Sequence, residues 1–159
     1  MPHASIPTEQ LLSLEFLVGE FVGIDLSYAL GPDPLRRSCS LIASREACDR
    51  FLQLQYASDV VENQYENFTG MVTFNRTLNR FEMWLFCLTS EEPVFFTGEC
   101  HDASLVLISE PQTIRGELQR VRLTFAQHRT VLSITTEVWT LDGYVTIREA
   151  FLREQGEVP

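Results

Sequence analysis

There is no lysine in this sequence: all twelve basic residues are arginine. That excludes Schiff-base chemistry on a lysine amine and any phosphate loop built around a lysine. Cysteine is sparse and scattered. Cys39, Cys48, Cys87 and Cys100 include no C-x-x-C pair, which disfavours a zinc ribbon or a thioredoxin-like redox site. Buried, reduced thiols are the expectation. Apolar runs such as Leu105 to Ile108 fall far short of the roughly 20 residues needed to cross a bilayer. The opening MPHASIPTEQ has neither the basic start nor the apolar stretch of a secretory signal. A cytoplasmic protein without membrane insertion is therefore expected.

Positive charge is also in deficit. Twenty-two acidic residues against twelve basic ones give a net charge of −10. Nucleic-acid binders carry a basic face, because phosphate contacts dominate their affinity; no nucleic-acid partner is expected here. The acidic excess reads as a device for solubility. Histidine is scarce too. His3, His101 and His128 each fall in a tail or a turn. No G-x-S-x-G elbow is present. In Glu99-Cys100-His101-Asp102 four potential ligands adjoin, but neighbours on a strand point to opposite faces, so at most alternate residues converge. No catalytic residue and no metal ligand is assigned from these patterns.

What the chain does have is β structure. Thr8 can cap a short helical stretch over about 8 to 17. Beyond it, ten segments read as strands: 20–30, 37–44, 51–57, 65–74, 81–88, 94–99, 104–109, 119–126, 131–140 and 144–153. Turn signals part them, among them Gly31-Pro32-Asp33-Pro34, Thr77 to Arg80, His101-Asp102 and Leu141-Asp142-Gly143. Gly70 suggests a bulge, and a longer excursion runs from Pro111 to Glu117. Turns every 8–12 residues mark a sandwich or a barrel. Closure removes exposed strand edges, so the expected fold is all-β: one antiparallel barrel of about ten strands with a short N-terminal helix. Residues 1–159 are expected to form a single domain, with 1–7 and 154–159 expected as flexible tails.

Several stretches carry a family resemblance. Leu17-Val18-Gly19-Glu20-Phe21-Val22-Gly23 resembles the G-x-W-x-G entry of calycin barrels, with Phe21 where Trp is usual. Arg50 to Tyr56, Phe68 to Phe86 and the closing hairpin Glu137 to Arg153 fit the same pattern. The succession resembles an uncharacterised bacterial domain-of-unknown-function family within the calycin superfamily, which includes lipocalins and fatty-acid-binding proteins. The resemblance implies a barrel that holds a small hydrophobic or amphipathic molecule in its lumen. Nitrobindin-like relatives place a histidine on haem iron; His128 is the best placed of three poorly placed histidines for such a role. No cofactor is assigned.

Charges inside otherwise apolar strands supply candidates for the lumen. These are Arg122 in RVRLTFA, Glu137 in TTEVW and Arg148 in TIREAF. If Tyr144, Thr146, Arg148, Ala150 and Leu152 face inward, Arg148 can anchor a carboxylate or phosphate. Fatty-acid-binding barrels carry Arg-x-Tyr at such a place, whereas this chain has Arg148-Glu149-Ala150. On the strand from Phe81 to Leu88, the set Phe81, Met83, Leu85, Cys87 can fill a core. That leaves Trp84 and Phe86 for the other face. Strands apolar on both faces imply either a ligand cavity or a homodimer interface. The expected ligand-binding set is Tyr56, Trp84, Phe86, Arg122, Glu137, Trp139 and Arg148, in a binding protein rather than an enzyme. One alternative is a chromophore- or lipid-acting lyase or chaperone with Glu137 opposite Arg148 in the lumen; another is a structural barrel that acts by dimerising.

Overall fold

Period-two alternation of apolar and polar side chains, repeated from Gly19 onward, produces the architecture of the chain. A computed structural model describes residues 9–28, 33–46, 50–59, 67–87, 92–114 and 117–156. Among these lie β1 (Gly19–Ser27), β2 (Leu35–Glu46), β3 (Phe51–Ser58), β4 (Phe68–Asn75), β5 (Arg80–Cys87) and β6 (Val94–His101). They are followed by β7 (Ser104–Ser109), β8 (Gln112–Ile114), β9 (Glu117–Gln119), β10 (Val121–His128), β11 (Val131–Thr140) and β12 (Gly143–Glu154). Ten of these close into a barrel in the order β1-β12-β11-β10-β7-β6-β5-β4-β3-β2. Every pairing around it is antiparallel, including β1 on β12, where Phe21 lies opposite Glu154. The expected ten-stranded closed barrel is thus the observed one. The excursion after Pro111 is not a plain loop: β8 and β9 pair there as a separate two-stranded sheet.

The alternation sorts each strand into an inner and an outer face. On β3, Leu52, Leu54 and Tyr56 are buried while Gln55 and Ala57 are exposed. On β5, Phe81, Met83 and Leu85 point inward and Trp84 and Phe86 outward. At one end of the barrel the short helix α1 (Glu9–Leu12) and a single 3-10 turn at Glu15–Leu17 lie across the opening. Leu14 and Leu17 are buried beneath them, and Arg45 pairs with Glu15. The helical segment thus covers this end of the barrel. In its lower half the lumen is filled: Leu41, Leu54, Met83, Leu105, Leu107, Phe125 and Leu152 have essentially no exposed surface.

Two departures from the sequence expectation concern backbone regularity. Gly70 is no bulge; it pairs in plain register with Leu54 and Leu85. Its reason is packing, since a Cβ there would stand 3.1 Å from the Met83 sulfur. The irregularity falls instead between β11 and β12, where the register shifts after Thr136–Arg148 to Glu137–Thr146. Ile147 is the extra residue, and the strand's two faces exchange there. Arg148, Ala150 and Leu152 are therefore buried inside, while Tyr144, assigned to the same face by simple alternation, packs on the outer wall. Leu30, Gly31, Pro32, Tyr65, Leu88, Cys48, the Thr8 cap and His3 lie outside the described residues.

Candidate functional site

The end of the barrel opposite the helix has a different chemistry. Counting along the inward faces, Asp25 and Ser27 come from β1, Arg37 and Cys39 from β2, Tyr56 from β3, Thr136 from β11 and Arg148 from β12. All seven are buried. The Arg37 Nε–H donates to Asp25 Oδ1 at 2.9 Å, and Nη2 donates to Oδ2 at 3.3 Å. The Tyr56 hydroxyl donates to the same Oδ2. One carboxylate thus receives three donors, the arrangement that makes a buried charge tolerable. Beside it, Arg148 Nη2 donates to Thr136 Oγ1 at 3.3 Å, and its guanidinium carbon lies 5.1 Å from the centre of the Tyr56 ring. Phe68 stacks on the Tyr56 ring, with centres 5.1 Å apart and planes at 13°.

Burial sets the protonation of the neutral members. Loss of solvent pushes the Cys39 thiol up to about 11, although its hydrogen bond with Tyr56 and the nearby arginines pull the other way. Loss of solvent likewise raises the Tyr56 phenol above its usual range. Arg148 opposes that rise, and donation to Asp25 adds to it. Both groups are protonated at neutral pH, so the site offers hydroxyl and guanidinium donors around a single carboxylate. It holds no ready nucleophile.

Space adjoins this cluster at the rim. A cavity of about 400 Å³ opens between Tyr56, Phe68, Phe86 and Cys87, with the amides of Gln55 and Asn67 at its edge. Tyr56 is shared by the polar cluster and the cavity. Two other hollows lie away from the cluster. One of about 540 Å³ sits at the closed end beside Arg80, Cys100 and His101, and one of about 430 Å³ lies on the outer wall between Leu118, Arg120, Trp139 and Tyr144.

The seven residues expected to form one binding set are divided by the structure. Tyr56 and Arg148 come together inside, and Phe86 reaches the rim cavity from outside. Trp84 lies on the outer face against Phe95, with ring centres 4.7 Å apart. Arg122, Glu137 and Trp139 assemble on the opposite outer wall. There Arg122 donates to both carboxylate oxygens of Glu137 at 2.6 and 2.9 Å and stacks 3.9 Å over Tyr144, which meets Trp139 edge-on. Hydrogen bonding to Glu137 raises the Arg122 pKa further. Glu137 therefore does not face Arg148 across the lumen. His101 and Glu99 share the outer face at 3.8 Å, while Cys100 turns in beneath the helical segment toward the Ser13 carbonyl. His128 is an exposed strand end.

Sequence reasoning missed Asp25, Arg37 and Cys39. The signal was available: Asp25 has the parity of Phe21 on β1, and Arg37 has that of Leu41 on β2, so both point inward with the core. A charge at an inward position of two adjacent strands is the mark of a polar lumen.

An antiparallel barrel, closed at one end by helix and core and polar at the other, is the class these features define. The crystal structure of Rv2717c from M. tuberculosis shares this fold: it superposes with a TM-score of 0.69 at 13% identity, over 94% of this chain and 99% of that one. No family model matches the sequence, and no curated protein matches it significantly. Among the described residues no helix is long and apolar enough to cross a membrane.

Proposed function

We propose that this chain is a lipocalin-like binding barrel that takes a small amphipathic molecule at its polar end. The apolar part lies in the cavity bounded by Tyr56, Phe68 and Phe86, and an acidic head group points toward Arg148. The observation that carries this reading is the placement of Arg148, Arg37, Asp25 and Tyr56 on the inward faces of an otherwise apolar barrel. Buried ion pairs are poor devices for stability, since well-packed apolar residues serve as well or better. The Arg37–Asp25 pair, grouped with Tyr56 and Arg148 beside a cavity, therefore points to recognition. The calycin resemblance supports the same reading, because lipocalins and fatty-acid-binding proteins hold such ligands within their barrels. The lyase alternative has lost its motivating pair, Glu137 with Arg148.

The test is displacement of a fluorescent long-chain carboxylate by an acid and an alcohol of equal chain length. The acid displaces the probe and the alcohol does so poorly. Arg148→Met weakens the acid by about tenfold, as loss of a charge-assisted hydrogen bond implies, and leaves the alcohol unchanged. Failure of the probe to bind, or equal affinity of the variant for the acid, overturns the proposal. Both tryptophans lie on outer walls, so the probe's own emission is the proper readout.

A further inference from the structure

At the start of β5 the barrel holds a buried donor that none of its own groups uses. Among the described residues, Arg80 Nε is the one buried side-chain nitrogen or oxygen without a hydrogen-bond partner. Folded chains almost always satisfy such atoms, because a buried donor left unmet gives up the hydrogen bond it made to water. The surrounding turn fixes this guanidinium in place. Asn75 Oδ1 accepts from the Leu78 backbone N–H at 3.0 Å, and the Asn75 amide donates to Glu82 Oε1. The other Glu82 oxygen accepts from Arg80 Nη2 at 3.3 Å. Arg80 is thus held at Nη2 and its charge is balanced, while the Nε–H keeps its donating capacity. Arg80 also lines the hollow of about 540 Å³ at the closed end of the barrel. Gln10 and Ser13 of the helical segment, Asn79 of the turn, and Glu99 and His101 of β6 give that hollow its polar edge. Phe74 and Phe81, packed edge to face with centres 5.0 Å apart, give it an apolar side.

We infer that this hollow is a second binding site, independent of the polar end, and that it takes a neutral polyhydroxylated molecule of one or two sugar rings. One oxygen of that molecule accepts from Arg80 Nε. The class follows by elimination and by complementarity. An ammonium supplies no acceptor for the Nε–H. An anion supplies one, but it faces the Glu99 carboxylate within a chain of net charge −10. A neutral oxygen meets the donor without either conflict. Complementarity points the same way. The amides of Gln10 and Asn79 and the hydroxyl of Ser13 both donate and accept, beside a donor in Arg80 and an acceptor in Glu99. Hydroxyl groups have the same double capacity, so a polyol answers this mixture at several points. The Phe74–Phe81 side suits the C–H face of a sugar ring, in the manner of small-molecule pockets that pair apolar surface with a few placed polar groups.

Saturation-transfer NMR on the full chain, with D-glucose, D-galactose, D-mannose and maltose as probes, tests this. At least one of the four receives saturation, with a Kd on the order of 1 mM. Tetrahydropyran, the same ring without hydroxyls, receives little, because it leaves the polar groups unmet. Sodium acetate and glycine do not displace the sugar, and sodium chloride leaves its affinity unchanged, as befits a neutral ligand. Arg80→Lys keeps a positive charge beside Glu82 but removes the Nε–H, and weakens the sugar by about tenfold. Gln10→Ala, on the exposed face of the helical segment, weakens it by about threefold. Circular dichroism reports that both variants keep the barrel. Arg148→Met, at the other end, leaves sugar binding unchanged, so failure here is distinct from failure of the lumen site. Absence of saturation with all four sugars overturns the inference. So does parental affinity in both Arg80→Lys and Gln10→Ala, displacement by acetate or glycine, or equal binding of tetrahydropyran.

Discussion

Arg37 and Tyr56 meet on one oxygen of Asp25, the arginine donating through Nη2 at 3.3 Å and the phenol through its hydroxyl. The carboxylate is wholly buried and ties together the neighbouring strands β1, β2 and β3 on the inner face of the barrel. Removing it takes away the acceptor that these two buried donors share. Asp25→Ala is expected to cost about 3 kcal/mol or more, the penalty for breaking a buried ion pair from one side. The double variant Asp25→Leu with Arg37→Met recovers a large part of that loss. Urea unfolding of the two variants and the parent checks both statements; an Asp25→Ala protein as stable as the parent refutes them.

Alkaline conditions act on the same cluster. Burial lifts the Cys39 thiol from 9.0 to about 11 and lifts the Tyr56 phenol beyond its usual range. The folded chain thus holds these protons more tightly than the unfolded one. The thiol's contribution is complete well below pH 9 and is lost as pH rises through about 11; the phenol's begins to change only near its ordinary value of 10.0 and is lost at higher pH than the thiol's. Denaturant midpoints measured from pH 8 upward should fall in this window, and Cys39→Ala should flatten the part due to the thiol. Reaction of Cys39 with iodoacetamide at pH 8 should likewise be far slower in folded protein than in urea.

Glycines differ sharply in what they tolerate. A Cβ on Gly23 would fall 1.9 Å from the Phe151 carbonyl oxygen, where β1 and β12 run close. Gly143 meets nothing within 4 Å, and its constraint is only a φ of +109° in the β11–β12 turn. Gly23→Ala must push two strands apart, at a cost above the ~1–3 kcal/mol typical of overpacking. Gly143→Ala pays backbone strain of about 1–2 kcal/mol. Thermal unfolding of the two variants ranks them, and the reverse order would show that the strand spacing is softer than described.

Much of this architecture was legible because a barrel strand advertises its two faces. Leu52, Leu54 and Tyr56 alternate with Gln53 and Gln55, and the structure keeps them so. The hairpin at Leu141-Asp142-Gly143 was legible because few residues accept the φ that Gly143 adopts. What escaped was the sense of each alternation. On β12 the extra residue Ile147 exchanges the faces between Thr146 and Arg148, and no local feature of TIREAF announces that. Arg148 was found because it is a charge in an apolar strand, and Tyr56 because it is an aromatic on one. Trp84 and Trp139 were grouped with them on size alone, though large aromatics are as much at home on an outer wall. Asp25 was readable from its parity with Phe21 once β1 was taken as a strand.

The pairing of β1 with β12 has a consequence for how the chain reaches its fold. The first strand made is hydrogen-bonded to the last, so during synthesis β1 and β2 leave the ribosome long before the neighbour that seals them exists. Until residues near Glu154 emerge, a nascent sheet with two open edges must persist without joining another chain. Contacts of such wide sequence separation also make the final closure slow. A nascent chain stalled short of β12 is thus a sheet rather than a barrel, and a natural client for a holding chaperone.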